Sequence, residues 1–294
     1  MMPREIAAAG RAARALSLIL LASSLLAGCA QSPSPRAGSG GVERLYVLDC
    51  GEARIPDLSP WSPGVNVGTA ATFSDNCYLI RHAQGWMLWD SGYPDALADK
   101  PEGLVGPRST AYRKKTLVAQ MAQIGVTPAQ VTRVAFSHTH GDHVGNANLF
   151  SAATLYIQQA EYDAAFGPDP AKFGFQPANY DKLRNSTAVK LNGDHDVFGD
   201  GSVVILATAG HTPGHQSLLV RLPHTGAVVL SGDAAHFREN FERRRVPGFN
   251  FDRDASVAAM DKLAAVVQKE KAQLWINHDS AQSATLRHAP EFYD

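Results

Sequence analysis

The sequence predicts an α+β fold with sheets layered between outer helices. Three observations predict it. Short apolar runs rich in β-branched or aromatic residues recur along the chain, bounded by Gly, Pro, Asp or Asn as strands are. Segments with helical spacing are interleaved with them rather than gathered at one end. His or Asp residues repeatedly stand just beyond a strand-like run, so one sheet edge would collect them. With 294 residues, 45% of them hydrophobic, the chain can bury the core of one large domain, or of two small ones at most. A formal net charge of -1 argues against a nucleic-acid partner, whose binders carry a basic excess.

The first segment reads as a targeting signal rather than as part of the fold. Arg4, Arg11 and Arg14 precede an apolar run over 15–27. That run is short for a membrane span but fits a signal-peptide core. It ends in Leu26-Ala27-Gly28-Cys29, which resembles the lipobox of bacterial lipoproteins, whose cysteine is lipidated and becomes the new N-terminus. Residues 1–28 are then a lipoprotein-type signal, and 29–43, rich in Ser, Pro and Gly, a flexible tether. Ala30 resembles the outer-membrane sorting pattern, with the protein facing the periplasm and held to the membrane through the lipid alone. The other reading is an ordinary secretory signal cleaved nearby, which leaves the protein secreted.

The folded domain covers 44–294. Strands are expected at 45–48, 77–81 and 86–89. A helix follows, with Leu117, Val118, Met121 and Ile124 on one face. Strands come next at 133–136 and 154–157, the second leading into a helix over 159–166. The stretch 167–185, rich in Pro, Gly and polar residues, reads as a long loop or short helices in a pocket wall. Strands at 203–207, 217–221 and 227–230 precede a helix carrying Val257, Met260, Leu263, Ala264 and Val267 on one face, with Asp254 as its N-cap. A strand at 273–276 closes the pattern. Of the three cysteines, Cys50 and Cys77 remain once Cys29 is set aside. An exported compartment permits a disulfide between them; two buried free thiols are the alternative.

The chemistry concentrates at 137–143, Ser-His-Thr-His-Gly-Asp-His, which holds three of the eleven histidines. Imidazole and carboxylate are ligands for zinc-like divalent metals. The run leaves the strand 133–136, so a rigid sheet can aim it. His138 and His140 project the same way in an extended segment. Asp142 and His143 are adjacent and can reach in different directions, which suits two metals better than one. Other strands end likewise: Trp89-Asp90-Ser91-Gly92, Gly210-His211-Thr212-Pro213-Gly214-His215 a little after 203–207, Gly232-Asp233, and Asn277-His278-Asp279.

In this order, these motifs resemble the metallo-β-lactamase-fold hydrolases over essentially the whole chain from about residue 45. The resemblance implies a four-layer αβ/βα sandwich with a dinuclear metal site at one edge, holding two divalent metals such as Zn2+. It implies His138, His140 and His211 on the first metal, Asp142, His143 and His278 on the second, and Asp233 bridging. Asp90 would orient a ligand from behind, and His215 would support the His211 loop. Two carboxylates among five imidazoles offset the metal charge, and a hydroxide between the metals would be the nucleophile. No Gly-x-Ser-x-Gly elbow offers another.

Within that superfamily the chain is most similar to the N-acyl homoserine lactonases. Gly210-His211-Thr212-Pro213-Gly214-His215-Gln216-Ser217 is shared with glyoxalase II-type thioesterases. Asp233-Ala234 with Glu239-Asn240-Phe241-Glu242, Gly248-Phe249 with Phe251-Asp252, and the closing Pro290-Glu291-Phe292-Tyr293 discriminate better. The implied function is hydrolysis of a lactone ring, with Asp142 orienting the hydroxide or taking its proton. The implied partner is a small-molecule substrate, with no nucleic acid. Two departures bear on this. His236 stands where the lactonases often carry a tyrosine, and an imidazole there can still donate a proton to the leaving group. Gly141 replaces an aromatic residue and opens that wall. A β-lactam or thioester substrate on the same site is the alternative enzyme, and a ligand-binding lipoprotein the alternative class. Arg243-Arg244-Arg245 reads as a solvated face or a contact to membrane lipid or an anionic substrate. Trp61 and Phe73, with the loop 59–72, either overhang the site or pack as ordinary core.

Overall fold

In the computed structural model, which describes residues 40–294, two mixed sheets pack face to face. The first contains β1 (Val42–Ile55), β2 (Ala71–His82), β3 (Gly85–Trp89), β4 (Leu104–Val105), β5 (Thr110–Tyr112), β6 (Val131–Ala135), β7 (Thr154–Gln158) and β8 (Ala188–Leu191), in spatial order β4-β5-β1-β2-β3-β6-β7-β8. The second contains β9 (His195–Asp196), β10 (Val203–Ala207), β11 (Gln216–Leu222), β12 (Gly226–Leu230) and β13 (Gln273–Trp275), in order β13-β12-β11-β10-β9. The helices are α1 (Leu117–Gln123), α2 (Gly141–Val144), α3 (Gln159–Phe166), α4 (Arg238–Arg243), α5 (Arg253–Glu270) and α6 (Ser280–Ser283). The signal segment and Cys29 lie outside the described residues.

Side-chain alternation sorts the layers. In the first sheet Leu79, Leu88 and Val134 face Leu117 and Met121 of α1 and Ala164 and Ala165 of α3. Their neighbours Ile80, Met87, Trp89 and Ala135 face Ile205, Leu218, Val220 and Leu230 of the second sheet. On that sheet's outer side Leu206, Leu219 and Val229 pack under Leu263 of α5. The order is helix, sheet, sheet, helix, the four-layer sandwich the motifs implied. Each fully buried Leu or Ile contributes roughly 1.5–3 kcal/mol.

Several details differ from expectation. β1 begins at Val42, ahead of the expected strand start at 45, and runs to Ile55 through a bulge between Asp49 and Gly51. β2 begins at Ala71 because the polar residues before Cys77 still pair with β1. In α1, Val118 is 39% exposed, and the buried place belongs to Gln120. Its amide brackets the peptide of Asp49 at the bulge, accepting from N (2.9 Å) and donating to O (2.7 Å). The N-cap of α5 is Asp252, which accepts from the Ala255 N–H at 2.9 Å, while Asp254 lies inside the first turn. Cys50 and Cys77 are joined in a disulfide with Cα atoms 5.8 Å apart; both are fully buried between β1 and β2.

Candidate metal centre

The loops that leave β3, β6, β12 and β13, with the turn between β10 and β11, open at one edge of the sandwich. They carry Asp90, the residues 138–143, Asp233, His278 and His211. Three of these residues, His138, His140 and His211, bring ligand atoms within 4.8 Å of one another; so do Asp142, His143 and His278. Asp233 stands between the two groups. Its Oδ2 lies 3.8 Å from His138 Nε2 and 3.4 Å from His211 Nε2, and its Oδ1 lies 3.3 Å from His143 Nε2 and 3.1 Å from His278 Nε2. Asp142 Oδ2 is 3.8 Å from His278 Nε2.

Each of the five imidazoles has its outward nitrogen beside a fixed oxygen. His140 Nε2 donates to the Phe173 carbonyl (3.0 Å), His211 Nδ1 to Asn250 Oδ1 (2.9 Å), and His278 Nδ1 to the Ser74 carbonyl (2.7 Å). His143 Nδ1 donates to Asp90 Oδ2 (3.0 Å), and His138 Nδ1 lies 3.1 Å from Ser137 Oγ. A histidine whose outer nitrogen donates presents a lone pair on the inner one. His140 Nδ1 consequently meets His138 Nε2 at 2.8 Å and His211 Nε2 at 3.0 Å. Three such lone pairs repel unless a cation lies among them. Burial, followed by the neighbouring imidazoles His143 and His140, pushes His138 well below its ordinary pKa.

The other half calls for positive charge. Burial disfavours the His278 cation, but Asp233 and Asp142 outweigh it and raise the pKa to about 9. His143 is likewise raised well above its usual value, with Asp233, Asp90 and Asp142 overcoming burial. His143 Nε2 and Asp233 Oδ1 are nevertheless buried without a hydrogen-bond partner. Crowded lone pairs, orphaned buried donor atoms and a surplus of carboxylate all fit a pair of divalent cations.

His215 and His236 sit differently. His215 Nε2 accepts from the Asp233 N–H (2.9 Å), while its Nδ1 donates to the Thr208 carbonyl (3.0 Å). It holds the backbone of Asp233 and, through Thr208, ties together the two ends of the loop that carries His211. His236 Nε2 lies 3.1 Å from Asp233 Oδ2, and its Nδ1 is buried with no partner. Its ring stacks on His278 at 5.5 Å and meets Trp61 edge-on.

A cavity of about 260 Å³ opens beside His140 and His211. Phe173, Phe249, Phe251 and Pro213 form its apolar walls, with Arg108 and Lys172 at the rim. The stretch 167–185 does form one wall. Trp61 is buried against Phe73 and Phe249, behind His236. A side chain at Gly141 would meet Asn179 and Gln176 at ordinary contact distance, 3.6–3.7 Å. Among the outward acceptors sequence reasoning named Asp90 alone, and it missed the others and the buried Glu161. The only available signal for Glu161 was a carboxylate opening a helix straight after an apolar strand.

A four-layer sandwich with this donor set at its strand ends defines a metal-dependent hydrolase of the metallo-β-lactamase type. The family model described as the metallo-beta-lactamase superfamily matches residues 71–269. The N-acyl homoserine lactonase AttM of Rhizobium radiobacter is 34% identical over 264 residues, covering 85% of this chain and 98% of its own. An N-acyl homoserine lactonase of Bacillus cereus is 30% identical over 259 residues, covering 85% and 99%. A solved N-acyl homoserine lactone hydrolase, with the product N-hexanoyl-L-homoserine at its catalytic metal centre, superposes with a TM-score of 0.74 at 29% identity, covering 86% and 99%. The chain belongs to the metallo-β-lactamase superfamily and, within it, to the N-acyl homoserine lactonase family.

Proposed function

We propose that this protein opens the ring of N-acyl homoserine lactones with two zinc ions. His138, His140 and His211 would hold one ion and Asp142, His143 and His278 the other, with Asp233 within reach of both groups. The observation that carries this reading is the aromatic cavity of about 260 Å³ against the His140–His211 side of the centre, whose apolar walls suit a short acyl chain. When bound, the two metals supply an acidified water as nucleophile and an electrophilic clamp for the ester oxygen. Asp142, the more accessible of the two carboxylates among the donors, takes the nucleophile's proton. The cavity walls hold the acyl chain and keep water from the ester. His236 keeps a proton at Nε2 against Asp233 Oδ2 and donates a hydrogen bond to the ring oxygen as that leaves, while the proton taken by Asp142 returns to that oxygen. His236 lacks the outward acceptor that each of the five metal-facing imidazoles has, which supports a hydrogen-bond-donating role over ligation.

Turnover of hexanoyl homoserine lactone, a simple γ-lactone, a cephalosporin and a thioester tests the substrate. The acyl lactone should have the highest kcat/KM; a preference for cephalosporin or thioester defeats the reading.

We further propose that Cys29 carries lipid and anchors the protein to the outer membrane facing the periplasm. The buried Cys50–Cys77 disulfide supports an oxidising compartment. Labelled palmitate should enter the full chain and be lost in Cys29→Ser; no incorporation removes the anchor.

A further inference from the structure

Glu161 lies in the first turn of α3 and is 2% exposed. A carboxylate so deep is tolerated when its lone pairs are filled. Here they are filled from two loops that α3 does not belong to. Oε1 accepts from the N–H of Thr139 (2.8 Å), and Oε2 from Thr212 Oγ1 (2.7 Å) and the N–H of Gly214 (2.9 Å). Thr139 is the residue between His138 and His140. The strip that carries two of the imidazoles thus also gives its middle N–H to Glu161. Thr212 directly follows His211. One side chain therefore fixes the backbone beside all three members of the His138–His140–His211 group. All three of its donors are neutral, so its charge is not cancelled by them. The group it backs consists of imidazoles alone, whereas the other contains Asp142.

We propose that Glu161 is a positioning residue for the three-histidine half of the centre, fixing both of its loops and placing a negative charge behind it. The proposal rests on the two-metal reading above. It makes one metal's retention depend on Glu161 and leaves the other's independent of it.

The experiment compares full-length wild type with Glu161→Gln, loaded with zinc and dialysed against graded chelator, with metal counted by mass spectrometry. The variant is isosteric and neutral. Its amide nitrogen must face one of the present donors, so at least one of the three bonds is lost. One of two metals should be held about 10- to 100-fold more weakly, the other within twofold. Imidazole nitrogen NMR should place the weakened metal on His138, His140 and His211. Equal retention of both metals, parallel weakening of both, or weakening on His143 and His278 overturns the proposal. A wild type that holds fewer than two metals defeats the dinuclear reading instead, which separates the two failures. Should Glu161→Gln not fold, Thr212→Val removes one donor and keeps the charge. It should weaken the same metal selectively, by about threefold or more, and no change in that variant overturns the proposal.

Discussion

Replacing Asp90 by Asn tests whether the outward hydrogen bonds set the imidazoles' metal affinity. Asp90 sits at φ 57°, a left-handed conformation that Asn tolerates nearly as well as Asp, so the backbone should be preserved. The native carboxylate accepts twice, at Oδ1 from the Ser137 N–H (2.6 Å) and at Oδ2 from His143 Nδ1 (3.0 Å). An amide has one acceptor and one donor. Whichever way it sits, one N–H faces another. If the amide oxygen keeps Ser137, His143 must move its proton to Nε2, the atom that faces Asp233 Oδ1 at 3.3 Å, or give it to the Ser137 hydroxyl at 3.0 Å, which His138 Nδ1 also faces. The first removes the lone pair a metal needs, and the second takes the hydroxyl from His138. Loss of such an outer partner costs about 10- to 100-fold in affinity, or roughly 1.4–2.7 kcal/mol. If the amide keeps His143 instead, the Ser137 peptide is left unpaired in a buried place, at about 1–3 kcal/mol of stability. Zinc titration of the metal-free variant, beside its urea denaturation, separates the two outcomes. Asp90→Asn with wild-type affinity and wild-type stability would refute the reasoning.

Two further predictions concern protons. His236→Phe keeps the ring packed on His278 and removes Nε2. It should retain both metals while kcat falls about 10²-fold or more, and His236→Tyr should recover much of that loss; a variant that loses a metal would make His236 a ligand rather than a donor. His278, raised to about 9 mainly by Asp233 and Asp142 against burial, holds a proton at pH 7 in the metal-free protein. His143 is raised as well, so a metal must displace both protons, and the affinity of this half should rise by more than tenfold, up to about a hundredfold, per pH unit between pH 6 and 9 and more slowly above. Calorimetry in buffers of different ionisation enthalpy would detect the released protons, and a flat affinity over that range would count against the assignment.

The inward face of the centre was legible because residue type determines it. His138, His140, Asp142, His143, His211, Asp233 and His278 were all singled out from strand ends and spacing, and all converge. Of the outward face only Asp90 was. Two of its acceptors are the carbonyls of Phe173 and Ser74, and a carbonyl has no residue identity to read. The fold shows the same division. Strands buried on both faces, such as β10 and β12, were placed within a residue. β4, β5, β8 and β9 were missed, being short and defined by tertiary pairing. Val118 and Gln120 of α1 exchanged expected roles because the bulge in β1 leaves an Asp49 peptide that only a polar side chain can satisfy. Glu161 escaped notice because its importance lies in what two distant loops donate to it.

Phe173 joins two tasks that mutate independently. Its carbonyl orients His140, while its ring walls the cavity. Replacing the side chain alters the shape offered to a substrate and leaves the carbonyl in place, provided the chain keeps its path. Selection can therefore retune the acyl pocket at this position without risk to metal loading. The same freedom does not extend to Asn250, whose side chain itself holds His211. Variants that change acyl-chain preference should thus be recoverable at position 173 from libraries screened for new lactones, while position 250 should stay fixed in every active clone.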